Sequence, residues 1–301
     1  MGKFAKVCLI TATIMICLGL FVGTIVTVLG GGNLIRGIAR EGIVHIGPRG
    51  INFWDWNWSW NWGRGNSWSR YWDGGIDLKV NGTRIADKSY TSDFNFGEIN
   101  SLNLTVGVGQ FDIIPWEKDS FGIRITGMGA CRYYNRGSTL HVEGFDFSGW
   151  NTTNINTRNN RISLYVPESI YYDELRIEVG VGSLDIRGLT VNRLRSEAGV
   201  GSVTMKDMVV ERLYMNNSVG ESIFGGEVRG NIAVDNGIGS TVLRIRGHED
   251  DFDYEISCSI GSITVGRQSY SGLAHARTIN NNAAKDMKLN CAIGSIEVSF
   301  Y

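Results

Sequence analysis

Five tryptophans alternate with polar residues in INFWDWNWSWNW, at Trp54, Trp56, Trp58, Trp60 and Trp62. Successive side chains of an extended strand point to opposite sides, so all five indoles share one face. Such a face could bind a glycan by stacking, lie in the headgroup zone of a bilayer, or cover the open end of a β-structure. Covering is the plainest of the three; stacking would make these five the binding residues.

The remaining reactive residues are scattered. His45, His141, His248 and His275 fall into no metal-ligand spacing, and Cys-x-x-Cys is absent. The run His248-Glu249-Asp250-Asp251-Phe252-Asp253 offers carboxylates to a hard cation, but lacks the glycine and terminal glutamate of an EF-hand loop. It reads as a solvated acidic loop. No nucleophile elbow or phosphate loop occurs. Glu178, Asp185, Glu197 and Asp207 could be exposed on strand faces, yet no pair stands out as an acid and base. A non-catalytic chain without cofactor or metal is therefore expected. With 29 Lys+Arg against 30 Asp+Glu, no net field favours nucleic acid.

Val7 to Leu29 runs without a charge, and as a helix it would extend roughly 34 Å, enough to span a bilayer. Lys3 and Lys6 precede it, which favours a cytoplasmic N-terminus and an exported body. A cleaved signal peptide is the alternative, although the run exceeds the usual apolar core of such peptides. The expected organisation is a cytoplasmic tip and transmembrane helix over 1–30, a Trp-rich juxtamembrane segment over 31–75, and an exported β-repeat domain over 76–301. A short helical continuation near Asn33–Arg40 is possible.

The elements of that domain follow from a repeat. LRIEVGVGSLDI begins at Leu175, LRSEAGVGSVTM at Leu194, LYMNNSVGESIF at Leu213 and IAVDNGIGSTVL at Ile232, spaced by 19 residues. Leu175, Ile177, Val179 and Val181 alternate with polar residues, which predicts one inward face ending at the Val181/Val200/Val219/Ile238 column. The glycines Gly182, Gly201, Gly220 and Gly239 recur in register and mark turns that need positive φ. One rung cannot bury its own apolar face, whereas stacked rungs share a core. The predicted fold is all-β: a parallel β-solenoid preceded by a β-hairpin region.

Two further rungs carry Gly261 and Gly294, with longer connections at HEDDFD and GLAHARTINNNAAKD that read as loops. The last strand, ending at Tyr301, is expected to cap the stack. An isolated copy, LNLTVGVGQFDI, begins at Leu102, and FGIRIT, STLHVE and RISLYVP read as hairpin strands after it. Cys258 and Cys291 hold equivalent rung positions, in the column of Val179, Ala198, Asn217 and Asn236. They could form a disulfide or fill the core as buried thiols. A short asparagine ladder is expected beside them.

The succession RISLYVP, DELRIEVGVGSLDI, LRSEAGVGSVTM resembles the putative-adhesin family of bacterial β-strand-repeat proteins, from roughly Gly75 to Tyr301. The resemblance implies a membrane-anchored surface protein that binds or scaffolds, and it supplies no catalytic residues. Ser218 departs from the pattern where glycine is expected. The partners implied are the membrane and a protein or cell-wall glycan. A regulatory or sensory part in envelope-stress signalling is the alternative.

Overall fold

Strand-forming alternation and paired glycines make the described residues almost entirely β. The computed structural model describes residues 44–47, 50–53, 78–85, 87–146 and 159–301. The chain divides into two compact units, Met1–Asn66 and Ser67–Tyr301. In the first, β1 (Val44–Gly47) and β2 (Gly50–Phe53) pair antiparallel. Among the described residues no helix is long and apolar enough to cross a membrane. The apolar run Val7–Leu29, the Asn33–Arg40 continuation and the five tryptophans lie outside those residues.

The second unit is one open sheet of fourteen strands. These are β3 (Leu78–Val80), β4 (Thr83–Ile85), β5 (Ser89–Phe94), β6 (Ser101–Trp116), β7 (Phe121–Thr126), β8 (Gly129–Arg136), β9 (Thr139–Asp146) and β10 (Arg161–Pro167). They continue with β11 (Tyr171–Arg187), β12 (Thr190–Val228), β13 (Ile232–Ile245), β14 (Phe252–Val265), β15 (Gln268–Ile279) and β16 (Lys285–Phe300). β12 carries two repeats in one continuous strand, the first half pairing with β11 and the second with β13. The rungs stack in parallel and solenoid-like fashion, as the 19-residue period requires.

Stacking order departs from chain order in two places. The upstream copy in β6 is not isolated: it pairs with β11 in full register, Leu102 opposite Leu175 and Gly109 opposite Gly182. The hairpin region is a branch from that same rung. β9 pairs with the first half of β6 and β10 with the second, so together they form one interrupted rung. From there β8, β3 and β4 extend one branch, and β7 and β5 the other. Between the branches Phe94 lies 4.7 Å from Tyr133 and 4.9 Å from Phe96, ring centre to ring centre, with Phe121 stacked alongside. Apolar rings thus close that end of the core.

At the other end β16 slots between β13 and β14, pairing in parallel with both. The terminal strand is therefore interior, and the expectation that it caps the stack is corrected. β15 takes the edge. It turns back from β14 through Gly266-Arg267 and pairs antiparallel along its length, so most of GLAHARTINNNAAKD is strand and not loop. Gly266, at φ 56°, supplies the left-handed residue that a two-residue hairpin needs. In β15, Arg277 stands opposite the core residue Ile256, yet it is exposed. A charge at a core-register position blunts an edge that would otherwise recruit another strand.

The repeat's second glycine governs the stack. Gly182, Gly201, Gly220, Gly239, Gly294 and Gly261 all have φ between 133° and 151°. A Cβ on any of them would collide with a backbone carbonyl: Gly201's with Gly182 O, Gly220's with Gly201 O, and so on along the column. Ser218 is tolerated because it replaces the first glycine of the pair, where positive φ is not used, and the following Gly220 keeps the common geometry.

This geometry predicts a position-specific penalty. Gly201→Ala must move two backbones and should lose at least about 3 kcal/mol in urea unfolding. Gly137→Ala, at a turn with φ 62° and open space around it, should lose only about 1 kcal/mol.

Candidate functional site

The alternation of the repeat changes phase at its bend. Leu175, Ile177 and Val179 are buried, and so are Leu184 and Ile186, but the two sets have opposite parity. The residue between the two glycines absorbs the flip and points outward. Val181 is 48% exposed, Val200 49%, Val219 40%, Ile238 45%, Ile293 45% and Ile260 41%. The expectation of an inward column at these positions is corrected, because extended alternation does not continue through a residue with φ near 140°.

Register pairing, with Gly220 packed on the Gly201 carbonyl where β12 stacks on itself, lines these residues up as Val108, Val181, Val200, Val219, Ile238, Ile293 and Ile260. At about 4.8 Å per strand the ridge is roughly 29 Å long. Small residues flank it on both sides. Gly180, Gly199, Ser218, Gly237, Ala292 and Ser259 precede it, and beyond the positive-φ glycines lie Ser183, Ser202, Ser240, Ser295 and Ser262. Glu221 is the one charge among these described bend positions, and it is exposed. An aligned row of exposed aliphatic side chains on a strip with a single charge is the kind of patch that monomeric surfaces usually avoid.

The neighbouring columns behave as ordinary surface. Arg176 pairs with Glu178 at 2.7 Å, Arg195 with Glu197 at 2.6 Å and Arg187 with Asp185 at 2.9 Å, each along one strand. The carboxylates at Glu178, Asp185 and Glu197 are thus engaged by arginines, and Asp207 lies within β12 at φ 55°. Exposed pairs of this kind contribute about 0–1 kcal/mol each. In the acidic run, Asp251 accepts the His248 amide at 3.0 Å, and Asp253 accepts the amides of Asn281 at 2.7 Å and Ala283 at 3.1 Å. These carboxylates hold turns together. Among the described residues no cluster of three metal-ligating side chains occurs.

Under the ridge runs a polar ladder in the core. Asn217 Nδ2 donates to Asn236 Oδ1 at 3.2 Å and to the Gly220 carbonyl at 3.1 Å. Asn236 Nδ2 donates to the Gly239 carbonyl at 3.0 Å and to Cys291 Sγ at 3.6 Å, and its Oδ1 accepts from Thr241 at 3.4 Å. Cys258 stands opposite Cys291, so the column ends in two free thiols. Asn217 Oδ1 and Ser218 Oγ are buried without a partner. The asparagines tie the bend carbonyls to the core at two consecutive rungs. Sequence reasoning placed the column correctly but missed the ridge above it; the mismatch in parity between Val179 and Leu184 was the available signal.

No curated protein matches this chain. The sequence profile of Toastrack DUF4097 matches residues 123–226, from β7 through the second repeat of β12. The resemblance to the putative-adhesin family read from the repeats holds at that level. Solved structures similar to this chain include one described as a putative cell adhesion protein from Clostridium sporogenes, at 14% identity, covering 71% of this chain and 99% of that one, with a TM-score of 0.45. A second, described as a putative adhesin from Bacteroides fragilis, is 13% identical over 71% of this chain and 98% of its own, with a TM-score of 0.34. A third, from Parabacteroides distasonis and described as a putative lipid binding protein, is 12% identical over 75% and 98%, with a TM-score of 0.27. The toastrack match ends at Gly226, so β13, β14, β15 and β16 extend the stack beyond it.

Two outcomes test the ladder. Asn236→Val takes one acceptor from the Asn217 amide, the acceptor of the Thr241 hydroxyl and the side-chain donor to the Gly239 carbonyl, and should lose about 2–3 kcal/mol in urea unfolding. Asp235, beside the ladder on β13, is pushed above the usual carboxylate range by burial, partly offset by the Asn290 amide at 2.7 Å. A carboxyl whose folded pKa is raised binds its proton more tightly when folded. Its stabilisation is present below the unfolded pKa and lost as pH rises through the folded value. Asp235→Asn should therefore flatten the fall in Tm over that window and leave the protein more stable at neutral pH.

Proposed function

We propose that this chain is a non-catalytic binding or scaffold module of the cell surface, anchored by Val7–Leu29, which engages a largely apolar protein segment along its bend ridge. The observation that carries the reading is the row of seven bend aliphatics from Val108 to Ile260, six of them between 40% and 49% exposed, on a strip where Glu221 is the one charge. The chemistry of that strip selects its partner. Without lysine or arginine it has nothing to neutralise phosphate, which disfavours nucleic acid and anionic headgroups. Without aromatic rings it gives a sugar no stacking surface. An extended apolar segment with one basic side chain opposite Glu221 fits ridge, flanks and charge. The parallel solenoid supplies a regular track for such a segment, because its rungs repeat at strand spacing. The tryptophan row Trp54–Trp62 remains a separate candidate for glycan or membrane-interface contact, and regulation of envelope-stress signalling is the second reading for the anchored chain.

A photo-crosslinking amino acid placed at Val200 in the full chain, on intact cells, should capture a discrete partner protein. The same probe at Arg187, on the arginine-bearing face, should not. Val200→Asp keeps an exposed position exposed, so it should leave Tm within a few degrees and reduce capture by a Ser202 probe at least tenfold. Equal capture from Val200 and Arg187, or capture unchanged by Val200→Asp, would discard the ridge as the binding face.

A further inference from the structure

Cys258 of β14 and Cys291 of β16 are direct register partners on parallel strands. Paired positions on adjacent strands place Cα atoms about 4.8 Å apart, inside the range a disulfide accepts. Both side chains belong to the buried core, at 1% and 2% exposure, and both are free thiols. We propose that Cys258 and Cys291 are a redox pair whose oxidation to a disulfide bolts the out-of-order strand β16 to β14.

The neighbours make the pair unequal. Cys291 Sγ accepts a hydrogen bond from Asn236 Nδ2 at 3.6 Å and a second from the Cys258 thiol. Both donors favour a thiolate at Cys291. Burial works against ionisation at both residues and, with the bond to Cys291, pushes Cys258 up to about 11. Cys291 is therefore the attacking sulfur and Cys258 the resolving one.

The oxidant is a small-molecule disulfide. Cys291 loses its proton and attacks one sulfur of that molecule, whose S–S bond breaks and releases one thiolate. Cys258 then loses its proton and attacks Cys291 Sγ in the mixed disulfide, expelling the second thiolate. The two protons end on the two released thiols. Two cysteines are oxidised and one small disulfide is reduced, so electrons and atoms balance.

Position gives the bond a consequence. The residues between the two cysteines include β15, the strand that turns back along the edge, and β16 must return past it to reach its slot beside β13. Among the described strands only β15 lies beyond β14, so these rungs belong to the end of the stack, where local opening is easiest and a reagent can enter. Closing that loop covalently restricts the unfolded chain and holds the last crossover shut. Cys131 on β8 is buried, raised by burial to about 12, and has no thiol beside it among the described residues, which makes it an internal control.

The test treats the full chain with oxidised glutathione and maps tryptic peptides by mass spectrometry. The expected product is a linked pair of the peptides 247–267 and 289–301, with a mass loss of about 2 Da, reversed by dithiothreitol. Its formation should quicken by up to about tenfold per pH unit below the thiol pKa. Oxidised chain should melt roughly 10 °C above reduced chain. Cys258→Ser should stop at a glutathione adduct on Cys291. If the serine variants fail to fold, the linked peptides of the unaltered chain decide alone. Both thiols still alkylatable after oxidation at pH 9, or a link from either one to Cys131, would overturn the proposal.

Discussion

The structure depends on one close approach, backbone against backbone, at the bend of each rung. Gly182, Gly201, Gly220, Gly239, Gly294 and Gly261 lie so near the carbonyl of the preceding rung that no side chain fits between them. Each also adopts a φ that side-chain-bearing residues avoid. The two requirements select glycine independently, which is why the column never varies while the aliphatic positions around it do. From this bend follows the rest of the cross-section. The strand reverses its phase there, buries Leu175, Ile177 and Val179 on one arm and Leu184 and Ile186 on the other, and turns one β-branched residue out between them.

Much of that was legible. A strict 19-residue spacing, an invariant glycine and alternating aliphatics are enough to specify stacked rungs, because no single rung can bury its own face. The in-register meeting of Cys258 with Cys291, and the Asn217–Asn236 ladder, followed from the same alignment. What failed was the extension of simple alternation across the bend, which assigned Val181, Val200, Val219 and Ile238 to the core. Alternation is a property of extended backbone, and one glycine at φ near 140° suspends it.

Spatial order was the other illegible feature. Repeats reveal which segments are equivalent, but equivalence alone does not say which rung lies beside which. The β6 copy is separated from β11 by four strands in sequence and touches it in space; β16 follows β15 and yet sits inside β14. The missing clue was the Gly266-Arg267 hairpin, which sends β15 backward along β14 and obliges the next strand to find another slot. The interrupted rung of β9 and β10 was obscured for a similar reason: residues 147–160 separate two half-rungs that belong together.

Together these features make the unit Ser67–Tyr301 a regular track, with apolar rings at one end of its core and at the other an edge strand carrying an exposed arginine. The order β13, β16, β14 places Ile293 between Ile238 and Ile260 and makes the terminal strand interior. Disulfide trapping between introduced cysteines tests it directly. Ser240 and Ser295 are register partners, whereas Ser240 and Ser262 are two strands apart with Ser295 between them. A chain with Ser240→Cys and Ser295→Cys should yield the corresponding linked peptides under mild oxidation, and one with Ser240→Cys and Ser262→Cys should not. Trapping of 240 with 262 but not with 295 would mean that the rungs stack in chain order, with β14 and not β16 beside β13, and the interior place of the terminal strand would be wrong.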